Sequence, residues 1–541
     1  YQPVYEVQGL PGAVFEITAL EDVYTLDGTL RYSAGEVVDT ITTGEDGTAQ
    51  SQPLYLGKFQ VKEIQFPHGM VDTGENVTNV ELVYAGQEVE VTETFTSFYN
   101  QRQKALVTLN KVLEQDETFG IGMNGEISAV TFGLYAQEDI TAADGSVIPA
   151  DGLLEIVSVN ENGQAVCSTD LPFGSFYLKE LSTDSHYLLN GETFPFTFEY
   201  GGPSVAVVEI SANDGEAVTN ELIRGEIKGL KTDENGTGLG GAVIGLFKSD
   251  ETEFTAENAL ATTTSADDGS FSFTNVPYGD WVLKELESPE GFILSDEVIP
   301  VTVEEDGQVV EISLANERVY GDLRLTKVDK DYPDNKLTGA EFEVYRDTNG
   351  NKELDEGDEL LGKLEETSTG IYEMSHILYG GVFVRETKAP EGFLLDENAY
   401  YVEITENGKI YEVENEAGIG FTNMAQTGSL RIEKTSSDGK VEGFSFRVTG
   451  ANGYDQTFKT DKNGEIFIEG LRVGDYTVSE VSDGASANYV LPADKKVTIL
   501  ADKTTVAQMH NELRDTPKTG DDSKPWLWAA LMGVSAMGAA A

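Results

Sequence analysis

The sequence predicts an all-β chain in which several β-sandwich domains follow one another. Three observations lead to this prediction: the length of the chain, the alternation of its side chains and an internal repeat. A chain of 541 residues is too long for a single hydrophobic core. Thr, Val, Tyr and Phe recur at alternate positions between Gly-containing turns, which is typical of strands with one buried face.

Two short phrases recur five times and define the repeat. The first phrase has the copies GAVFEI (12–17), AVTFGLY (129–135), GAVIGLF (241–247), GAEFEVY (339–345) and GFSFRV (443–448). The second has the copies LYLGKFQVKEI (54–64), LPFGSFYLKEL (171–181), VPYGDWVLKEL (276–286), ILYGGVFVRET (377–387) and LRVGDYTVSEV (471–481). Both phrases alternate as strands do, so each repeat is predicted to be one sandwich of short strands.

The domain boundaries follow from an Asn that precedes a Lys by eleven residues at each junction. This spacing predicts domains at 1–102, 103–222, 223–318, 319–425 and 426–513, followed by a C-terminal segment at 514–541. In the first domain, the residues that match the opening strand of the other copies are expected to lie before Tyr1.

The composition excludes several classes of function. A net charge of −59 argues against a nucleic-acid partner and favours a soluble chain that resists self-association. Cys167 is the single cysteine, so a disulfide framework is not expected. The four His are scattered, and no Ser-His-Asp arrangement or phosphate loop is present. We therefore expect neither an enzyme acting on an external substrate nor a resident cofactor.

Each complete repeat places three polar residues on a strand face that otherwise carries apolar side chains. In the third repeat, Glu285 follows Trp281 and Leu283 at alternate positions, so all three share one face. By the same counting, the core-facing polar residues are Lys111, Glu180 and Asn220; Lys231, Glu285 and Asn316; Lys327, Glu386 and Asn423; and Lys434, Glu480 and Asn511. Lys and Glu are almost never buried unless they are paired.

Two interpretations explain these triplets. In the first, burial lowers the pKa of the Lys, its neutral amine attacks the Asn amide, and ammonia leaves. A protonated Glu would hydrogen-bond the Asn carbonyl and pass a proton to the departing amine, which gives a Lys–Asn isopeptide bond. In the second, a buried Lys–Glu ion pair simply lies near the Asn.

Together with KELESPEGF (284–292) and RETKAPEGF (385–393), the triplets resemble the collagen-adhesin B-type domains of Gram-positive surface proteins. These domains are also described as prealbumin-like or pilin-related. The resemblance covers residues 1–513 and implies immunoglobulin-like or prealbumin-like sandwiches in an extended rod. It implies bonds between the residues Lys111–Asn220, Lys231–Asn316, Lys327–Asn423 and Lys434–Asn511, promoted by Glu180, Glu285, Glu386 and Glu480.

Two copies depart from this pattern. In the first domain, Glu63 and Asn100 have no assigned Lys, so the resemblance implies no particular bond for them. In the fifth domain, SEVSDGAS lacks the Pro-x-Gly-aromatic continuation that follows Glu285 and Glu386.

The stretch RDTNGNKELDEGDEL (346–360) resembles a calcium loop of the EF-hand or dockerin type. Positions 1, 3, 5, 9 and 12 of that loop are Asp347, Asn349, Asn351, Asp355 and Asp358. However, Lys352 stands where such loops need Gly, and Asp358 stands where they have Glu. Calcium is one prediction for this stretch, and an acidic hairpin insertion is the other.

The C-terminal TPKTG resembles the LPxTG sorting signal of wall-anchored proteins. Its residues are Thr516, Pro517, Lys518, Thr519 and Gly520, with Thr516 in the position of Leu. The resemblance implies that a sortase cleaves after Thr519 and joins the chain to peptidoglycan. The apolar residues 525–541 would form a hydrophobic helix that holds the precursor in the membrane, and a continuation beyond Ala541 is expected. A plain membrane anchor is the alternative.

These observations favour the extracellular stalk of a wall-anchored adhesin, with an unknown host or matrix ligand. A pilus subunit polymerised by sortase is the rival interpretation, although DYPDNK (331–336) is a poor match to a pilin motif. The spacer region of an exported enzyme is a third.

Overall fold

The computed structural model describes residues 1–515, and strands dominate this range. The predicted all-β class is therefore confirmed. The sorting motif at Thr516 to Gly520 and the predicted hydrophobic helix lie outside the described residues. The described residues form two compact units: the first comprises residues 1–290 and 294–316, and the second comprises residues 291–293 and 317–515.

The first repeat forms one four-stranded antiparallel sheet in the order β4-β1-β5-β7, accompanied by the two-stranded pairs β2-β3 and β6-β8. Its strands are β1 (Val14–Ala19), β2 (Val23–Tyr24), β3 (Leu30–Tyr32), β4 (Val37–Thr42), β5 (Gly57–Gln65), β6 (Met70–Val71), β7 (Val77–Leu82) and β8 (Gln101–Arg102). The alternating burial of β1 follows its sequence, since Phe15, Ile17 and Ala19 face the core.

The second repeat contains two main sheets, β13-β10-β15-β16 and β14-β9-β17, and β18 also pairs with β9. Its strands are β9 (Lys104–Leu113), β10 (Thr131–Ala136), β11 (Ile140–Thr141), β12 (Val147–Ile148), β13 (Leu153–Ser158), β14 (Gln164–Val166), β15 (Gly174–Ser182), β16 (Thr193–Phe198), β17 (Val207–Ser211) and β18 (Val218–Asn220). Short 3-10 helices occupy Glu126–Ala129 and Ala212–Gly215.

The third repeat has the sheets β22-β19-β25 and β21-β20-β23-β24. Its strands are β19 (Arg224–Asp233), β20 (Val243–Lys248), β21 (Ala261–Thr264), β22 (Ser270–Pro277), β23 (Gly279–Glu287), β24 (Val298–Val303) and β25 (Val309–Asn316). Ile227 and Leu314 from one sheet pack in a common core with Ile244 and Leu283 from the other. The two sheets therefore form a sandwich.

The fourth repeat has the sheets β29-β30-β26-β33 and β28-β27-β31-β32, and β34 pairs with β26. Its strands are β26 (Tyr320–Asp329), β27 (Glu341–Arg346), β28 (Glu359–Lys363), β29 (Glu365–Ser368), β30 (Ile371–Leu378), β31 (Gly380–Lys388), β32 (Ala399–Ile404), β33 (Ile410–Glu412) and β34 (Phe421–Asn423).

The fifth repeat has the sheets β38-β35-β42-β40 and β37-β36-β39-β41. Its strands are β35 (Thr427–Ser436), β36 (Ser445–Thr449), β37 (Asp455–Lys459), β38 (Glu465–Arg472), β39 (Gly474–Glu480), β40 (Tyr489–Val490), β41 (Lys495–Ile499) and β42 (Thr504–Leu513). A short 3-10 helix spans Ala451–Gly453.

A glycine opens the strand that carries the core-facing Glu. Its φ is 136° at Gly279, 112° at Gly380 and 135° at Gly474, in a region that side chains with a Cβ rarely adopt. The backbone there turns from the preceding strand directly into the next one. This requirement explains why the third, fourth and fifth copies of the second phrase keep a Gly six residues before the Glu.

Candidate functional site

The first and last strands of repeats two to five lie side by side and run parallel. In the third repeat, Lys231 of β19 is in register with Leu314 of β25, so Asn316 follows two residues further along. Because side chains two residues apart share a face, Lys231 and Asn316 both project into the sandwich. The corresponding register pairs are Lys111–Val218, Lys327–Phe421 and Lys434–Met509.

Glu285 approaches the same point from the opposite sheet. Lys231 Nζ donates a hydrogen bond to Asn316 Oδ1 and lies 3.2 Å from Glu285 Oε1. Asn316 Nδ2 donates to both carboxylate oxygens of Glu285, at 2.9 and 3.0 Å. All three residues are buried, with at most 2% of their surface exposed. The structure therefore brings together an amine, an amide and a carboxyl group away from water.

The second repeat repeats this arrangement. Lys111 Nζ lies 2.6 Å from Asn220 Oδ1 and 3.6 Å from Glu180 Oε1. Asn220 Nδ2 donates to the two oxygens of Glu180 at 3.1 and 3.0 Å, and also to Thr183 Oγ1 at 2.9 Å. The amide of Asn220 is thus held at both ends, by the Lys on its oxygen and by the carboxyl group on its nitrogen.

The fourth repeat completes the set of three equivalent sites. Lys327 Nζ donates to Asn423 Oδ1 and lies 3.5 Å from Glu386 Oε1. Asn423 Nδ2 donates to Glu386 at 3.0 and 2.9 Å. The ammonium also lies over the ring of Phe421, 5.0 Å from its centroid.

Burial lowers the pKa of the lysines in these three sites. It lowers the pKa of Lys111 and of Lys327 to about 8, against the opposing attraction of the neighbouring Glu. Burial lowers the pKa of Lys231 as well. A lowered pKa favours the neutral amine, which is the nucleophilic form of lysine.

The carboxyl group contacts the amide from a different side than the sequence suggested. A protonated Glu was expected to hydrogen-bond the Asn carbonyl, whereas Glu285 accepts hydrogen bonds from Asn316 Nδ2. The reason is that the carbonyl oxygen of Asn316 already accepts a hydrogen bond from Lys231 Nζ. The carboxyl group therefore lies between the amine and the amide nitrogen, where it can carry protons from one to the other.

Comparison with known families identifies the repeats. The model of the SpaA prealbumin-like fold domain matches residues 5–94, 225–318, 321–417 and 428–513, which is more than half of the chain. The chain belongs to the SpaA prealbumin-like domain family. The matched ranges leave out residues 95–224, which contain the second repeat, although its sheets and its buried triplet resemble those of the SpaA domains.

Several solved structures are similar to this chain. The Bacillus anthracis TIE protein has 21% identity over 71% of this chain and 69% of its own, with a TM-score of 0.45. BcpA, the major pilin subunit of Bacillus cereus, has 14% identity over 54% of this chain and 100% of its own, with a TM-score of 0.28. A streptococcal ancillary pilin has 17% identity over 60% of this chain and 99% of its own, with a TM-score of 0.24. No curated protein matches the chain.

The last SpaA domain, which is the fifth repeat, assembles only part of the triplet. Asn511 Nδ2 donates to Glu480 Oε1 at 2.7 Å, and burial raises the pKa of Glu480. Lys434 Nζ instead donates to the backbone carbonyl of Thr435 and lies over the ring of Phe444 at 4.2 Å. In this repeat the predicted Lys does not hydrogen-bond the Asn, whose buried Oδ1 has no hydrogen-bond partner.

The first SpaA domain holds the pair that the sequence left without an assigned Lys. Asn100 Nδ2 donates to both oxygens of Glu63, at 3.1 and 3.0 Å. Glu63 is buried, and burial raises its pKa. The carboxyl–amide half of the site is therefore present in this repeat.

A backbone amide that the sequence analysis did not identify completes three of the sites. The N–H groups of Asn190, Ser295 and Asp396 donate to the second carboxylate oxygen of Glu180, Glu285 and Glu386, at 2.6, 2.8 and 2.9 Å. Each donor stands ten residues after its Glu. That constant spacing is the signal that could have revealed it.

In the predicted calcium loop, the carboxylate oxygens accept hydrogen bonds from other groups of the same loop. Asn349 and Asn351 both direct Nδ2 at Asp355 Oδ2, at 2.9 and 2.8 Å, so these amides face the carboxylate as donors. Asp347 and Asp358 accept backbone N–H groups of the same loop. Within residues 1–515, no cluster of three or more His, Cys, Asp or Glu is arranged to hold a metal ion. This arrangement favours the acidic hairpin, and calcium stays a prediction.

The sorting residues Thr516 to Gly520 lie beyond the part that the structure describes. In residues 1–515 we find no helix with the length and hydropathy of a membrane span. Cys167 is buried, and burial raises the pKa of its thiol to about 12, so it has the properties of a core residue and not of a nucleophile.

Proposed function

We propose that this chain is a stalk of a Gram-positive surface protein whose repeats are stiffened by internal Lys–Asn isopeptide bonds. The observation that carries the proposal is the buried contact between Lys Nζ and Asn Oδ1, with a carboxyl group beside both. It occurs in three repeats, at Lys111, Lys231 and Lys327. Three charged and polar residues meeting in the same order in successive cores need a shared purpose, because an ion pair alone gives a core little stability.

The reaction at the third repeat balances as follows. Glu285 takes one proton from the Lys231 ammonium, and the neutral amine attacks Cγ of Asn316. A second proton passes from the attacking nitrogen to Nδ2, the Cγ–Nδ2 bond breaks, and ammonia leaves. The new bond joins Nζ to Cγ, and the carboxyl group keeps the proton it accepted. The chain's own residues supply every group in this sequence.

These bonds would carry tension past the body of each sandwich. Lys111 and Asn220 lie on the first and last strands of their repeat, so a bond between them connects the entry of the chain to its exit. The eleven residues from Asn220 to Lys231 then span at most about 40 Å before the next bond begins. The strands in between are relieved of load.

We also propose that sortase joins the chain to peptidoglycan through Thr519, after a transient membrane stage held by residues 525–541. This part rests on the TPKTG motif and on the membership of the SpaA domain family. The stalk of an adhesin, with a host or matrix ligand still to be defined, is the favoured form. A sortase-polymerised pilus subunit is the rival, and the spacer of an exported enzyme is the third.

Intact mass spectrometry of the folded chain tests the bonds. Each bond lowers the mass by one ammonia, and tryptic peptides linked through Lys111, Lys231 or Lys327 would locate it. Glu285→Gln should abolish the third-repeat bond alone. Glu287→Gln is the matched control, because Glu287 lies on the same strand and is exposed. A mass equal to that of the unmodified chain would refute the proposal.

A boiled cell-wall extract distinguishes the adhesin from the pilin. Multimers of increasing mass that resist boiling favour the pilus subunit, since sortase would then join copies of the chain covalently. A single wall-linked species favours the adhesin stalk.

A further inference from the structure

In the four repeats that contain the core-facing Lys of the triplet, a loop with a shared sequence follows the strand that carries the Glu. It reads aromatic, aliphatic, Leu and a variable residue: YLLN (187–190), FILS (292–295), FLLD (393–396) and YVLP (489–492). The aromatic residue pairs with the residue two positions after the site Asn, as in Tyr187 with Leu222, Phe393 with Ala425 and Tyr489 with Leu513. This pairing fixes the loop beside the buried triplet in the same register each time.

The variable residue donates its backbone N–H to the carboxyl group. Asn190, Ser295 and Asp396 each contact Oε2 of their Glu. The carboxyl group then has one fixed orientation, in which both oxygens also accept hydrogen bonds from the Asn Nδ2. In that orientation the Asn carbonyl oxygen points at the Lys amine.

The fifth repeat has Pro492 at the variable position, and proline has no N–H to donate. Glu480 Oε2 is buried there without any hydrogen-bond partner, and so is Asn511 Oδ1. Only one oxygen of Glu480 accepts a hydrogen bond from Asn511 Nδ2. Lys434 turns to the carbonyl of Thr435 instead. Two unpaired polar atoms in one core are costly, so their coincidence with the missing donor needs an explanation.

We propose that this loop amide is a positioning group for isopeptide formation and that Pro492 leaves the fifth repeat without its bond. The inference rests on the proposed crosslinking function and specifies which repeats perform it. The amide does not touch the reacting atoms. It orients the carboxyl group, which in turn holds the Asn amide toward the Lys. Without it the carboxyl group turns, the amide loses one of its two contacts, and the Lys finds another acceptor.

Restoring the donor tests the proposal on the full chain. Pro492→Ser and Pro492→Ala both supply an N–H, and they differ in their side chains. Each is expected to add one further loss of ammonia, located in a peptide that joins Lys434 to Asn511. When Glu480→Gln is added to either variant, the Lys434–Asn511 bond should no longer form and this further ammonia should not be lost. Because the other repeats are unchanged, their bonds serve as internal controls in the same spectrum.

The reverse change is made in the third repeat. Ser295→Pro is expected to abolish the Lys231–Asn316 bond, whereas Ser295→Ala keeps the N–H and should keep the bond. Bonds in the other repeats of the same molecule show that those repeats have folded, and resistance of residues 223–318 to limited proteolysis checks the folding of the third repeat itself.

Two outcomes would overturn the inference while leaving the proposed function intact. One is a Lys434–Asn511 bond already present in the parent chain. The other is the absence of that bond in both Pro492 variants while repeats two to four are crosslinked, which would assign the difference to the longer loop after Glu480. Absence of every ammonia loss would instead refute the proposed function itself.

Discussion

Replacing Glu285 by Gln is expected to make the third repeat extensible under force. Gln fills the same space but does not take a proton from Lys231, so the bond to Asn316 would not form. The 85 residues that separate Lys231 from Asn316 would then be free to extend. At about 3.3–3.6 Å per residue, they add roughly 280–305 Å of chain. The folded separation to be subtracted is small, since the two strands are neighbours about 4.8 Å apart.

The assay is single-molecule stretching of the full chain, held at its two ends. The parent chain is expected to give no extension step from repeats two to four, since each is closed by its own bond. The Glu285→Gln chain should give one additional step of the length calculated above. Its unfolding free energy should also fall by about 4–5 kcal/mol, because closing a loop of this size restricts the unfolded chain.

Two controls separate the covalent effect from the loss of polar contacts. Glu287→Gln changes an exposed residue of the same strand and should stretch like the parent. Lys231→Met removes the amine, so adding Glu285→Gln to it measures only the noncovalent role of the carboxyl group. If parent and Glu285→Gln chains give the same set of steps, tension does not pass through Lys231 and Asn316, and the mechanical reasoning is wrong.

Three further predictions concern pH, packing within the second unit and anchoring. Burial lowers the pKa of Lys111 and Lys327 to about 8, so crosslinking in freshly refolded chain should accelerate as the pH rises through about 8 and then level off. Mass measured against time at several pH values gives the rate, and a rate that does not change with pH would contradict this prediction. Arg472→Ala should lower the stability of the fourth and fifth repeats by about 3 kcal/mol near neutral pH, because it removes the cation from the buried Asp329 carboxylate and leaves it only backbone hydrogen bonds. Burial alone would raise the pKa of Asp329, but Arg472 holds it below its usual value, so this stability should be lost as the pH falls below about 4; thermal melts at two pH values check the sign. Thr519→Ala should leave the chain in the membrane fraction and not in the wall fraction, and an unchanged wall fraction would count against the sorting motif.

Much of the site could be predicted because strand alternation determines which face a residue occupies. Lys231, Glu285 and Asn316 share their faces with apolar residues, and the structure buries all three. Alternation does not give the register between strands, so the two-residue offset of Lys231 and Asn316 needed the structure. It also gives no rotamers, which is why the contact between Glu285 and the amide nitrogen was not foreseen.

The fifth repeat also shows that a sequence pattern does not determine side-chain rotamers. Lys434 and Asn511 occupy the same positions in the strand pattern as the Lys and Asn of the other repeats, yet the final direction of a long Lys side chain depends on which acceptors lie within reach. The carbonyl of Thr435 is one residue away, and it competes with a carboxyl group that only one partner holds in place. The residue type at the donor position gives no signal, since every residue except Pro has a backbone N–H, so only the constant spacing of ten residues after Glu180, Glu285 and Glu386 could have indicated it.

The position of the proposed crosslink at the two outer strands also bears on proteolysis. With the proposed bond formed, every peptide bond between Lys231 and Asn316 would lie inside a covalent ring, including those of the loop at 251–258 that precedes β21. A protease that cuts this loop would then open the ring without dividing the molecule, because the bond between Nζ and Cγ would still join the two fragments. Such a stalk could be nicked in three of its repeats and still hold whatever it carries to the surface beneath.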